Sequence, residues 1–283
     1  MATETIANAP AAAAKGGDLG RRAIGAAVGV PLVVAAVMAP PWGMAALMTA
    51  AAAMAGHELG RLLETGAGRS GPAVPALAAA GAGMTCLTVA SLAGTPWLLV
   101  GLMGLAVATL LGTFALCREA VADVLPAALG AILIAGLPLG CVALLRADPH
   151  GIGWVCLALA STWLGDTGAY AVGRLVGRTP MAPKLSPKKT VEGAIGGAGV
   201  AMIAAAVVAW LLVPGLLPWQ AALLGGLANG VGQVGDLFES AIKRRAGAKD
   251  SGTAIYGYGG ALDKTDSLLF AAPLLLAAQV ALG

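Results

Sequence analysis

Apolar residues run along this chain for about twenty positions at a time, broken by short polar clusters. A helix that crosses a bilayer needs roughly 20 predominantly apolar residues, and the runs at 23–41, 43–63, 73–93, 96–116, 124–145, 152–172, 191–213, 218–239 and 267–282 meet that need, the last being the shortest. No segment alternates polar and apolar residues in the way a transmembrane barrel strand does. The pattern therefore predicts an all-α, polytopic integral membrane protein with about nine transmembrane helices.

Composition sharpens this reading. The chain is 58% hydrophobic and 11% charged, whereas soluble domains carry about 25% charged residues. Its 42 glycines against three phenylalanines predict helices that approach through small-residue faces. Gly225, Gly226, Gly230, Gly232 and Gly235 are accordingly read as packing positions rather than as a phosphate loop.

Charge tests the helix assignment independently. With the N-terminus in the cytoplasm, the connections after the second, fourth, sixth and eighth spans are cytoplasmic, and of the 17 Lys and Arg residues only Arg146 falls outside. Such a bias is the positive-inside pattern. Residues 1–22 are expected as a disordered cytoplasmic tail, 23–150 as N-terminal packing helices and 151–283 as the region that carries chemistry. Arg21 and Arg22 precede an apolar run as in an export signal, but retention as the first span suits the charge pattern better. Cys86, Cys117, Cys141 and Cys156 show no metal-binding spacing, and neither His57 nor His150 has a companion ligand, so a zinc site is not expected.

The first five spans carry almost no polar residues, so chemistry is sought in the second half. There acids intrude at membrane depth: Asp166, Glu192, Asp236 and Glu239. Such placement is costly and marks a site facing protein or water, although Glu239 alone could equally be a helix-end acid paired with a cation. Gln233, Asp236, Ser240 and Lys243 recur at intervals of three and four and share a helical face. Asp263 and Asp266 lie three apart at the entry to the ninth span. Asp236, Asp263 and Asp266 are thus expected to converge as hard oxygen ligands, suited to Mg²⁺ held together with substrate phosphates. Lys184, Lys188, Lys189, Lys243, Arg244 and Lys249, interleaved with glycine turns and with Pro183 and Pro187, surround those acids as a phosphate site requires.

The segments "SAIKRRAGAKDSG" and "GYGGALDKTDSL" resemble the signature of the bacterial phosphatidate cytidylyltransferases (CDP-diacylglycerol synthases). Ser240, Lys243, Arg244, Lys249, Asp250, Ser251, Gly252, Gly259, Gly260, Asp263, Asp266 and Ser267 stand at its positions, and "GDTGAYAVGRLVGRTPMAPKLSPKKTVEGAIGG" resembles the family's other patterned block. Three positions depart from the family: Tyr256 and Tyr258 replace the Pro and His of the usual Pro-Gly-His, and Lys264 replaces an Arg. Tyr258 retains one hydrogen-bond donor, while Lys264 keeps the charge without the bidentate fork.

The resemblance implies a Mg²⁺-dependent nucleotidyltransferase of phospholipid biosynthesis that joins CTP and phosphatidate into CDP-diacylglycerol and releases pyrophosphate. It implies Asp263, Asp266, Asp236, Lys249 and Asp250 as catalytic residues, with Asp236, Asp263 and Asp266 as metal ligands and room for a second cation. Lys188, Lys189, Ser186, Glu192, Ser240, Lys243, Arg244, Gly259, Gly260 and Tyr258 are its implied substrate-binding residues, with Asp166 in support. It further implies a multi-pass protein of the inner (cytoplasmic) membrane, a homodimer, and no nucleic-acid partner. Two other readings stand beside it: a transporter or channel, and a CTP-dependent enzyme acting on another lipid, such as a polyprenol or dolichol kinase.

Overall fold

The apolar runs fold as helices, and the polar cluster between the sixth and seventh runs folds as a hairpin. A computed structural model describes residues 13–68, 73–92, 95, 101–104, 107–109, 111, 121–257 and 259–282. Helix α1 spans Ala13–Met38, α2 Pro41–Gly66 and α3 Ala73–Leu92. Helix α4 begins as Val121–Ala131, widens into a π-helical turn at Ile132–Gly136 and resumes as Leu137–Ala147. Helix α5 does the same, with Gly151–Leu159, a π-helical turn at Ala160–Leu164, then Gly165–Val176. The antiparallel strands β1 (Pro180–Ala182) and β2 (Ser186–Thr190) lead into α6 (Val191–Leu212), α7 (Pro218–Arg245) and α8 (Leu262–Leu282).

Local chemistry sets the helix starts. Pro41 and Pro218 occupy first-turn positions, where a missing N–H costs nothing. The Thr190 hydroxyl accepts from the Gly193 amide at 3.2 Å and caps α6. Most expected spans match within a few residues, with two informative exceptions beside the candidate site. Helix α7 runs past the expected end at 239 to Arg245, and α8 begins at Leu262 rather than 267. Asp263 and Asp266, expected at the entry to this span, therefore sit in the opening turns of α8. Helix α1 begins at Ala13, within the stretch expected as a tail. The expected fourth span, 96–116, lies mostly outside the described residues, with short helical pieces at 101–104 and 107–109.

Among the described residues, four helical stretches are long and apolar enough to cross a membrane: Val74–Ser91, Val124–Ala147, Val191–Leu212 and Leu262–Leu282. Helix α6 shows how such a helix sits. Ala201, Ala205 and Ala209 form a buried stripe, and an added Cβ on Gly225 of α7 would lie 2.4 Å from the Ala205 Cβ. Its opposite side exposes Ile203 (69%) and Trp210 (75%). A small-residue seam inside and bulky apolar groups outside suit a lipid surround. Helix α2 is central, packed against α3, α4, α7 and α8, with Met44 and Leu59 fully buried.

Arg146, the exception to the charge pattern, is buried at the end of α4. Its Nε donates to the Val37 carbonyl at 2.8 Å and its Nη2 to the Ala39 carbonyl at 2.5 Å. It satisfies carbonyls that the end of α1 leaves without helical partners, which explains a cation on that side of the bundle.

Candidate active site

The polar face of α7 organises the site. Asn229, 1% exposed, donates to the Ser161 carbonyl at 3.1 Å. Ser161 lies in the π-helical turn of α5, where the widened ladder frees a carbonyl. Gln233 Nε2 continues the chain to Asn229 Oδ1 at 2.6 Å and to the Ala194 carbonyl at 3.2 Å. These contacts lock α5, α6 and α7 in register one turn from the acids.

Carboxylate oxygens of Asp236, Glu239 and Asp266 then come within 4.8 Å of one another. Glu239 is 4% exposed; its Oε2 accepts from Lys243 Nζ at 2.8 Å, while its Oε1 is buried with no hydrogen-bond partner. An orphaned buried carboxylate oxygen costs free energy, and beside two further carboxylates it needs positive charge. Hard oxygen donors so grouped suit a divalent cation of the Mg²⁺ type. Lys189 of β2 already supplies one positive charge by pairing with Asp236.

Asp263 occupies a different place from the one expected. Its Oδ1 accepts from Lys243 Nζ at 2.6 Å. Its Oδ2 takes the Ser251 amide at 2.9 Å, the Ser251 hydroxyl at 3.0 Å and the Gly260 amide at 2.8 Å. Both oxygens therefore hold the 246–261 loop and Lys243, and the acid that joins Asp236 and Asp266 is Glu239. Burial opposes the Lys243 ammonium, but its hydrogen bonds to Asp263 and Glu239 outweigh that and raise its pKa above the ordinary lysine value. Lys243 thus stays charged between the two acids.

Beneath the loop lies Glu58 of α2, 5% exposed. Its Oε2 accepts from the Ser251 hydroxyl at 2.8 Å and the Leu262 amide at 2.9 Å, and its Oε1 from the Ala261 amide at 3.0 Å. A carboxylate on amides that open a helix also faces the positive end of its dipole. Gly260 is required here, because an added Cβ would lie 2.1 Å from Ser251 Oγ and 2.2 Å from Glu58 Oε2. Gly259, at φ 89°, makes the left-handed turn that brings the Gly260 amide to Asp263. The expectation that the first five spans carry no site chemistry is corrected by Glu58. Its signal was an acid inside an apolar run.

Asp166, Asp236, Asp263 and Asp266 line one cavity of about 450 Å³ together with Lys188, Lys189, Lys264 and Arg174. Tyr170 and Arg174, which sequence reasoning did not single out for the site, form one wall, with Arg174 Nη1 donating to the Tyr170 hydroxyl at 3.1 Å. The Ser267 hydroxyl reaches Asp166 at 3.4 Å. The other expected residues stand apart. Glu192 accepts from the Arg178 amide at 3.1 Å and from the Thr179 hydroxyl at 2.8 Å, holding the turn before β1. Arg244 donates to the Ala248 carbonyl at 2.8 Å. Lys249 and Asp250 are exposed on the loop after α7, Ser186 pairs with Ala182 in the hairpin, and Ser240 makes a long 3.4 Å contact to Asp236. Tyr258 lies outside the described residues.

The model of a family described as the cytidylyltransferase family matches residues 20–281 of this chain. A phosphatidate cytidylyltransferase of Synechocystis is 46% identical over 127 residues, 45% of this chain and 43% of that protein. Its counterpart in Staphylococcus saprophyticus is 39% identical over 142 residues, 50% of this chain and 55% of that protein. The Brucella suis protein is 43% identical over 146 residues, 51% and 53% of the two chains. The chain spans about half the length of the curated relatives it matches.

Proposed function

Since the chain belongs to the cytidylyltransferase family, we propose that it is a phosphatidate cytidylyltransferase that works at the cytoplasmic face of the inner membrane. The observation that carries this reading is that Asp236 and Asp266 line one cavity with Lys188, Lys189 and Lys264, while Glu239, with a buried and unpaired oxygen, lies within 4.8 Å of both acids behind that wall. A phosphate-to-phosphate transfer needs such a combination of acids for a metal and cations for phosphates. We read the chain as nine spans with a cytoplasmic N-terminus, and as a homodimer.

In the reaction, a phosphatidate phosphate oxygen attacks the α-phosphorus of CTP, the bond to the β-phosphate oxygen breaks, and pyrophosphate leaves with that electron pair. The nucleophile is already anionic, so no side chain has to remove a proton first. Lys188, Lys189 and Lys264 hold the phosphates that meet in the cavity. Asp236, Asp266 and Glu239 would hold Mg²⁺, which when bound neutralises charge on transferring phosphates. Asp263 fixes Lys243 and the loop, and so keeps the acids of α7 and α8 in register. A transporter would place its polar groups near mid-membrane, whereas these gather at one end of the bundle.

Purified protein in lipid vesicles is given Mg²⁺ and CTP labelled at the α-phosphate or, separately, at the γ-phosphate, with phosphatidate, polyprenol or dolichol as separate acceptors. Labelled CDP-diacylglycerol is expected from phosphatidate alone, and Asp236→Asn should lower its formation by about 100-fold or more while the protein remains folded. Label transferred to a polyprenol, or near-normal turnover by the folded variant, would overturn the reading.

A further inference from the structure

A second cavity adjoins the polar one. This cleft of about 470 Å³ lies between α1, α2, α5 and α8 and is walled by Val28, Leu32, Met48, Met54, Trp163 and Leu268. Lys264 lines both cavities. The first turns of α8 form their common wall. Ala261, Thr265 and Leu268, at helical spacing, face the apolar cleft, whereas Asp263 and Asp266 face the polar cavity. A lysine whose apolar stem lies along one wall can present its ammonium at the boundary.

We propose that this cleft seats the acyl chains of the lipid substrate, and that Lys264 holds the lipid phosphate where cleft and polar cavity meet. The proposal rests on the phosphatidate reading above. Three observations select a lipid as occupant. Met44 and Met54 of α2 both line the cleft; ten residues at 1.5 Å each give it a depth of about 15 Å. That depth equals one leaflet, half of a hydrocarbon core about 30 Å thick. Charge is matched too: the cleft is apolar along its depth, and the cation stands at the end that joins the phosphate-binding cavity. Trp163 and Tyr256, 41% and 57% exposed, also line the cleft and suit the headgroup boundary.

Lipid tails are as apolar as these walls, so the cleft positions a lipid more than it attracts one. The test therefore reads position. The full-length protein in phosphatidylcholine vesicles is irradiated with phosphatidate carrying a diazirine midway along one acyl chain, and the labelled peptides are mapped. Gly29 lines the cleft, and an added Cβ there meets nothing within 4 Å, so Gly29→Phe plugs it without disturbing the core. Val28→Trp, at a position 67% exposed, is the second plug.

Label is expected on α1 and α2, reduced about fivefold by either plug, with a matching rise in KM for dioleoyl phosphatidate but not for CTP or dihexanoyl phosphatidate. Label spread over outward faces such as Ile203 and Trp210 of α6, label unchanged by both plugs, or cross-linking between copies of the chain through the cleft overturns the proposal. The two readings fail separately. A wild-type protein inactive towards CTP and phosphatidate sinks the enzymatic assignment while the labelling still judges the cleft. An active protein labelled elsewhere sinks the cleft alone.

Discussion

Replacing Glu58 by alanine removes a carboxylate that joins the N-terminal helices to the start of α8. The Ala261 and Leu262 amides, at 3.0 and 2.9 Å from it, lose their acceptor. The Ser251 hydroxyl does not, because Asp263 Oδ2 lies 3.0 Å away. Two buried donors are therefore orphaned, and at about 1–3 kcal/mol each the loss is about 2–6 kcal/mol. That is a large share of the 5–15 kcal/mol or so that holds a typical domain together. Equilibrium unfolding of Glu58→Ala in mixed micelles of a mild and a denaturing detergent measures it. Glu58→Gln keeps one acceptor oxygen but turns an amide donor toward the remaining N–H, so an intermediate loss is expected. Glu58→Ala within about 0.5 kcal/mol of wild type, the usual range for surface substitutions, would refute the reasoning and show that water serves these amides as well as the carboxylate does.

Lys243→Met leaves Glu239 and Asp263 buried without their shared cation, 2.8 and 2.6 Å away. About 3–5 kcal/mol should be lost in the same unfolding measurement, and adding Glu239→Gln should restore part of it, giving a double-mutant cycle that does not close additively. Gly260→Ala forces a methyl to within 2.2 Å of Glu58 Oε2 and should cost about 1–3 kcal/mol or more. Gly230→Ala, where an added Cβ meets nothing within 4 Å, should be neutral or stabilise α7 by up to about 1 kcal/mol; equal effects at the two glycines would contradict the close approach.

Much of the site is legible along the chain because it rests on local periodicity. Gln233, Asp236, Ser240 and Lys243 share a face whatever surrounds α7, and Asp263 and Asp266 lie together once a helix begins before them. The lysines of "SPKKT" cluster in the sequence, and Lys188 and Lys189 line the cavity. The partition of the acids is not legible in this way. Asp236, Glu239 and Asp263 look alike in sequence, and only the packing shows that Asp263 is taken by Ser251 and Gly260 while Glu239 joins Asp236 and Asp266. Glu192 offered the same ambiguity, and the turn at 178–179 takes it.

The order of apolar runs, the charge bias between connections and the helical spacing of the acids come from the sequence alone, because each depends on residues within a few turns of one another. Only the tertiary structure could bring Glu58 to the amide of Leu262, 204 positions away, or place Arg146 on the carbonyls that end α1. It alone sets Lys264 between a polar cavity and an apolar cleft. Buried donors and acceptors must find partners wherever the packed helices carry them, and no local pattern encodes which distant residue that will be.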